Sequence, residues 1–290
     1  MKNKENVYIF GWNGFLGINL YKRLIDNKDL SVLRVGKNIE SDLNFDLSNP
    51  NYNFIDKLCS GDKFIFLAAI SSPDYCSTNY EEAYLINVKN TKELIKRLLN
   101  KGIDILFASS DVVYGRTLLP VNENSEINPV GRYGEMKADV ESEFKDYKNF
   151  YIMRLSYISS VRDKFIAYLL LSSKNNTKIS VFDPFIRSMI QLDDVINFII
   201  IFIKKTLKIK PIVNLAGPDF ISRLQYVDTF AEIFPLKFNK ILPPPDFLVE
   251  RPDTILLESV YLSSYLDKSL KNVLNELKND LKTINKNKKR

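Results

Sequence analysis

Val7-Tyr8-Ile9-Phe10-Gly11-Trp12-Asn13-Gly14-Phe15-Leu16-Gly17 is the stretch on which the fold class turns. Val7 to Phe10 is a short apolar run, the mark of a buried strand, and residues 14–25 carry apolar side chains at helical spacing. Between strand and helix the glycines fall at 11, 14 and 17. Gly11 and Gly14, with Asn13 between them, allow a tight turn and a close backbone approach to a pyrophosphate. Gly17 lets the helix pack near the strand, and the helix start at Phe15 and Leu16 supplies N–H donors and the positive end of a dipole. Glycines also serve plain turns. Their place directly after the first strand is what points to dinucleotide binding.

Outward from this turn, strand-like and helical runs alternate. Leu30 to Val35, Phe64 to Ala69, Ile103 to Ser109 and Phe150 to Leu155 read as strands, and Ala83 to Asn100 and about Tyr133 to Tyr147 as long helices. Such alternation predicts an α/β fold with a doubly wound parallel sheet covered on both faces. After Tyr157 the rhythm becomes irregular, with prolines at 184, 211, 218, 235 and 243–245. This predicts a smaller C-terminal lobe packed on the carboxyl ends of the strands, where open α/β sheets bind ligands. The expected division is residues 1–157, joined by parts of 186–216, for the dinucleotide and 158–290 mainly for the substrate. There is no internal repeat.

Composition narrows the chemistry. The chain of 290 residues has no histidine, which removes Ser-His and Cys-His nucleophiles and histidine metal sites. Proton transfer must then use Tyr, Lys, Asp, Glu, Cys or water. Cys59 and Cys76 are too few for a disulfide framework and lack metal-site spacing, so a reducing compartment and no bound metal are expected. The formal net charge of +6 is spread along the chain, and part of it sits in Asn285 to Arg290, which reads as a solvated, frayed terminus. The aromatics fall at core spacing rather than within a basic stripe, so no nucleic-acid partner is expected. Residues 1–6 lack a signal-peptide apolar core, and Val195 to Ile203 is too short to span a bilayer. A cytoplasmic protein without a membrane partner is the expectation.

The second strand informs cofactor choice. Sites selective for NAD end this strand with Asp or Glu, which accepts hydrogen bonds from the adenine ribose. Here it reads Leu30-Ser31-Val32-Leu33-Arg34-Val35-Gly36-Lys37. A guanidinium at Arg34, followed by Lys37, suits a 2′-phosphate, which predicts a preference for NADP(H) while leaving NAD(H) open. The alternative is an Arg34 that points into solvent.

Tyr133-Gly134-Glu135-Met136-Lys137 places Tyr and Lys four residues apart, on one helix face. A free tyrosine titrates near pH 10. A nearby ammonium favours the phenolate and makes Tyr133 a usable acid or base. Lys137 also comes within reach of a nicotinamide ribose. Ser110, ending the fourth strand in Ser109-Ser110-Asp111-Val112-Val113-Tyr114-Gly115, is placed to polarise a carbonyl. A Tyr-x-x-x-Lys pair alone is common in helices. The glycine turn, the strand-terminal serine and the Tyr-Lys pair in this order are much less so.

In this combination the chain resembles an extended short-chain dehydrogenase/reductase, particularly the dTDP-4-dehydrorhamnose reductase branch of the nucleotide-sugar enzymes. The likeness runs through Gly11 to Gly17, Phe45 to Pro50, Leu67-Ala68-Ala69, Asn87, Ser109 to Gly115 and Tyr133 to Lys137. It implies a Rossmann-type fold in which Asp46 and Leu47 flank the adenine, and Leu67, Ala68 and Ala69 line the pyrophosphate and ribose path. Arg187-Ser188-Met189-Ile190-Gln191-Leu192-Asp193-Asp194-Val195 resembles the segment of nucleotide-sugar epimerases whose Arg approaches the substrate nucleotide. Arg251-Pro252-Asp253-Thr254 resembles the late Arg-Pro element whose Arg pairs with the diphosphate. The resemblance also assigns Ser71 and Asp111 to the substrate, and implies a homodimer formed by residues 83–100 and 133–147.

The related 4,6-dehydratases carry Thr-Asp-Glu after the fourth strand, with two acids for water elimination. Here the residues are Ser110-Asp111-Val112, so dehydration is disfavoured. The resemblance therefore implies NADPH-dependent reduction of a nucleotide-linked 4-keto-6-deoxy sugar, of the kind used in bacterial surface polysaccharides. Two alternatives stand beside it: an epimerase with tightly held NAD(P), and a non-catalytic NADP(H) sensor. Tyr157-Ile158-Ser159-Ser160 departs from the Trp-Val-Tyr pattern of the rhamnose reductases, which leaves the hexose open.

Overall fold

The computed structural model describes residues 4–205, 207–266 and 270–288. Its strands are β1 (Glu5–Phe10), β2 (Leu30–Gly36), β3 (Leu43–Asn44), β4 (Lys63–Phe66), β5 (Asp104–Ser110), β6 (Phe150–Leu155), β7 (Ile158–Ser159), β8 (Ile179–Phe182), β9 (Ile186–Ser188), β10 (Ile190–Gln191), β11 (Ile212–Leu215), β12 (Phe220–Ser222), β13 (Phe238–Ile241) and β14 (Thr254–Ile255). The helices are α1 (Phe15–Leu24), α2 (Pro73–Thr78), α3 (Tyr80–Tyr84), α4 (Thr91–Asn100), α5 (Gly131–Phe144), α6 (Lys164–Lys174), α7 (Leu192–Lys204), α8 (Arg223–Ala231), α9 (Pro245–Glu250), α10 (Leu262–Tyr265) and α11 (Val273–Lys288).

Seven parallel strands form the central sheet in the order β11-β6-β5-β4-β1-β2-β3. The strands are apolar on both faces because helices cover both. Leu16, Leu20 and Leu24 of α1 pack with Val195, Phe198 and Ile199 of α7 on one side. Leu94, Ile95 and Leu98 of α4 and Val140 and Phe144 of α5 pack on the other. The order reverses between β1 and β4, and that switch point opens the crevice in which such sheets bind ligands. This is the expected Rossmann-type α/β architecture.

A second core lies in the C-terminal part, where Tyr226, Val227 and Phe230 of α8 meet Val273, Leu277 and Leu281 of α11. The three α11 side chains recur every four residues, so they share one helical face. A short sheet β12-β9-β14 touches the end of β5 through Arg187 of β9 and Asp111. Among the described residues no helix is long and apolar enough to cross a membrane.

Four local expectations need correction. The helix expected over residues 83–100 is broken into α3, a π-helical turn over Leu85–Asn90, and α4. Lys63–Phe66 forms a shorter strand than 64–69, because Leu67, Ala68 and Ala69 leave the ladder to pass over the glycine turn. The fifth helix spans Gly131–Phe144 rather than ending at Tyr147. Residues 285–288 of the expected frayed tail complete α11, while Lys289 and Arg290, like Met1, Lys2 and Asn3, lie outside the described residues.

Candidate active site

Gly11 adopts φ +87°, and a Cβ there would lie 2.6 Å from the Ala68 amide nitrogen. At Gly17 a Cβ would come within 2.4 Å of the Gly11 carbonyl oxygen, and at Gly14 within 3.3 Å of the same oxygen. The three glycines thus let β1, α1 and the chain after β4 converge. The Gly14 amide donates to the Gly11 carbonyl at 3.1 Å and closes the turn. Helix α1 has neither a side-chain cap nor an acidic residue in its first turn. Its N–H donors and positive dipole end, at Phe15 and Leu16, are left for an anion. The pocket fits a dinucleotide pyrophosphate. Gly17→Ala is therefore expected to weaken NAD(P)H binding about tenfold or more and to destabilise the fold by about 1–3 kcal/mol, read by fluorescence titration and denaturant unfolding.

A cleft of about 290 Å³ runs from this turn along the carboxyl ends of β1, β2 and β4. Of the residues expected to bind the cofactor, Gly11, Asn13, Lys37, Asp46, Leu47, Ala68 and Ala69 line it, whereas Gly14, Phe15, Leu16 and Gly17 do not. Leu67 packs into the core beside α1 instead. Arg34 is also placed differently from that reading. Its guanidinium forms a two-pronged pair with Asp42, both contacts at 3.0 Å, and sits over Trp12 and Tyr21, outside the cleft lining. The reason is register: Arg34 pairs with Ile9, two residues short of the strand tip, whereas Lys37 lies just past Gly36. Lys37 is largely exposed, with Nζ 3.8 Å from an Asp46 carboxylate oxygen.

Sequence reasoning missed Trp12, Asn38, Ile70, Glu82 and Ile86 in the cleft wall. Trp12 was findable from its place between the glycines. Glu82 and Ile86 were not, since the π-helical turn decides which side of that segment faces the cleft. Asn87, within this turn, holds the wall: its Oδ1 accepts from the Ile70 amide and its Nδ2 donates to the Ile70 carbonyl, both at 2.9 Å. Asn90 Nδ2 similarly donates to the Leu47 carbonyl at 2.6 Å.

The catalytic candidates meet where β5 ends and α5 passes over it. Ser110 closes β5 and caps the short turn Asp111–Tyr114, and its hydroxyl donates to Asp111 Oδ1 at 3.1 Å. Gly134 explains how α5 comes so close, because a Cβ there would lie 3.2 Å from the Val112 carbonyl. Lys137 is buried, donates to the Ala108 carbonyl at 2.8 Å, and lies 5.7 Å from the centre of the Tyr133 ring. Burial pulls the Lys137 ammonium down to about 8, opposed by Glu141. Tyr133 is half-buried against the cluster that includes Cys76 and Met136, on which Ile70 also packs. Burial raises its phenol well above the ordinary tyrosine value, with Cys76 and Asp111 adding to the effect, so burial overturns the lowering that the neighbouring Lys137 led one to expect. It is a protonated acid at neutral pH.

Asp111 is buried, and desolvation raises its carboxyl, opposed by Arg187 and by hydrogen bonds from Ser110 and Ser156. Arg187 Nε lies 3.7 Å from Asp111 Oδ2, and the rest of its guanidinium donates to the carbonyls of Ile186, Pro252 and Asp253. Arg251 forms a two-pronged pair with Asp74, one contact at 2.7 Å. Ser71 is exposed on the loop leading to α2. Of the four substrate candidates, Asp111 and Arg187 touch each other, while Ser71 and Arg251 lie toward α2.

The model of one family, described as the RmlD substrate binding domain, matches residues 5–247. Among solved structures, dTDP-4-dehydrorhamnose reductase from Yersinia enterocolitica superposes with a TM-score of 0.81 at 23% identity, covering 98% of this chain and 99% of that one. The corresponding reductase from Bacillus anthracis, in complex with NADP, gives 0.82 at 18% identity over 96% and 98% of the two chains. UDP-glucuronic acid 4-epimerase from Bacillus cereus, in complex with UDP-glucuronic acid and NAD, gives 0.79 at 17% over 96% and 99%. Among curated proteins, methionine adenosyltransferase 2 subunit beta from Xenopus tropicalis is 28% identical over 144 residues, 46% of this chain and only 40% of that protein.

Proposed function

The chain belongs to the RmlD substrate binding domain family, and from that premise we propose that it is an NADPH-dependent reductase of a nucleotide-linked 4-keto-6-deoxy sugar. The observation that carries the reading is Lys137 of α5 anchored on the Ala108 carbonyl of β5, two residues before Ser110 ends that strand, with the Tyr133 ring beside the Lys137 ammonium. Gly11 to Gly17 hold the pyrophosphate, and Asp46, Leu47, Ala68 and Ala69 the adenosine side. The nicotinamide, when bound, supplies the hydride that reduces the keto carbon. Tyr133 donates its proton to the oxygen, and the Ser110 hydroxyl polarises that oxygen beforehand. Lys137, charged below about pH 8, stabilises the phenolate left behind. Val112, where an elimination would need a second acid, leaves reduction the favoured chemistry.

Cofactor preference rests on Lys37 more than on Arg34, whose charge Asp42 already engages. Lys37→Glu is expected to lower the ratio of NADPH to NADH efficiency about tenfold or more. An unchanged ratio would remove Lys37 from the 2′-phosphate site.

The decisive assay follows NADPH absorbance with a panel of nucleotide-linked 4-keto-6-deoxy sugars. Consumption identifies a reductase and its sugar class. Isomerisation without net oxidation transfers the assignment to an epimerase. A second reading, a non-catalytic regulatory subunit, is favoured by the partial match to a subunit of methionine adenosyltransferase. It predicts dinucleotide binding with neither reaction.

A further inference from the structure

We infer that Arg223 is an anion-binding residue of the substrate site and takes the pyrophosphate of a nucleoside diphosphate sugar, an inference that rests on the nucleotide-sugar reading above. Strand register brings three arginines to one edge of the small sheet. Ser222 ends β12 opposite Ile186, and Thr254 begins β14 opposite the same Ile186. Arg223 follows Ser222 by one residue, Arg187 follows Ile186 by one, and Arg251 precedes Thr254 by three. The Arg223 amide donates to the Phe185 carbonyl at 2.8 Å and pins the first turn of α8 to this edge.

The three guanidinium groups differ in what satisfies them. Arg187 is held by Asp111 and three backbone carbonyls, and Arg251 by Asp74. Arg223 has an aromatic floor instead: its guanidinium carbon lies 4.3 Å from the centre of the Phe185 ring and 5.1 Å from that of Phe165. Arg187 stacks on the same Phe185 ring at 4.3 Å. Among the described residues, no carboxylate lies within 4.0 Å of Arg223. Burial lowers its guanidinium; Tyr157 beside it favours the charge and Arg251 opposes it. A half-buried cation among like charges gains most from a doubly charged, oxygen-rich anion that accepts a forked pair of hydrogen bonds.

A chain of contacts connects Arg223 to the catalytic candidates. From Ser110 the path runs through Asp111 to Arg187, then across the Phe185 ring to Arg223. A hexose whose C4 oxygen reaches Ser110 and Tyr133 carries its anomeric pyrophosphate on the far side of the sugar ring. Arg223, joined to Ser110 through these successive contacts, is the group we assign to it.

The test titrates the full chain with UDP and dTDP, and in parallel with uridine and thymidine, by calorimetry. Arg223→Ala is expected to weaken diphosphate binding about tenfold to a hundredfold. Nucleoside and NADPH affinities should match wild type, and Arg223→Lys should recover part of the loss, since it restores charge without the fork. Equal diphosphate affinity in Arg223→Ala and wild type overturns the inference alone. So does a parallel loss for nucleoside and diphosphate in both variants, which marks a structural role. If wild type binds no nucleoside diphosphate, the inference and the nucleotide-sugar reading fall together.

Discussion

Tyr133→Phe is expected to lower turnover about a hundredfold to ten-thousandfold while NADPH binds as in wild type. Removing one hydroxyl deletes the proton donor and little else. The ring keeps its packing on the cluster of Cys76 and Met136, and the Lys137 ammonium stays over it. Because proton transfer occurs only as the alkoxide develops, kcat and kcat/KM should fall together with little change in KM. Steady-state NADPH oxidation and a fluorescence titration of NADPH measure the two halves. Turnover within a few-fold of wild type would remove Tyr133 as the acid.

The second large effect concerns the support of that site. Glu141, one turn beyond Lys137 on α5, is 2% exposed and pairs with Arg154 of β6, which is 4% exposed. The closest contact is 2.6 Å, and Arg154 Nη1 donates at 2.6 Å to the Tyr114 hydroxyl. That hydroxyl in turn lies 2.9 Å from the Asn122 carbonyl and 3.1 Å from Asn214 Oδ1 of β11. One network therefore ties α5 to β6, β11 and the loop after β5. Glu141→Ala leaves a buried guanidinium without its counter-ion, and a loss of about 3–5 kcal/mol is expected in denaturant unfolding. The double variant Glu141→Leu, Arg154→Met should lose less, because no orphan charge remains. A single-variant loss below about 1 kcal/mol would mean that water reaches and solvates Arg154.

Much of this protein is local in origin and could be read directly. A strand, three glycines and a helix within residues 7–25 specify the phosphate turn, because glycine spacing and apolar period act over a few residues. The strand runs announce a covered parallel sheet for the same reason, and that sheet is what the structure contains. The Tyr133 and Lys137 pair is one helical turn, and its common face follows from geometry alone.

Other features depend on what the chain meets. Arg34 reads as a phosphate ligand until its partner Asp42, eight residues on, is seen to hold it. The break at Leu85–Asn90 exists because Asn87 must reach the loop at Ile70, a contact no helical periodicity announces. Arg223 carries no local signal whatever, and its neighbours come from α6, the residue before β9 and the segment before β14.

The amino-acid sequence by itself determined the sheet class, the glycine turn and the shared helical face of Tyr133 and Lys137, since each arises from interactions within one or two turns of chain. Tertiary structure alone decided which cations are already paired and which face the cleft, because charge pairing is settled by strand register and by partners brought from distant segments.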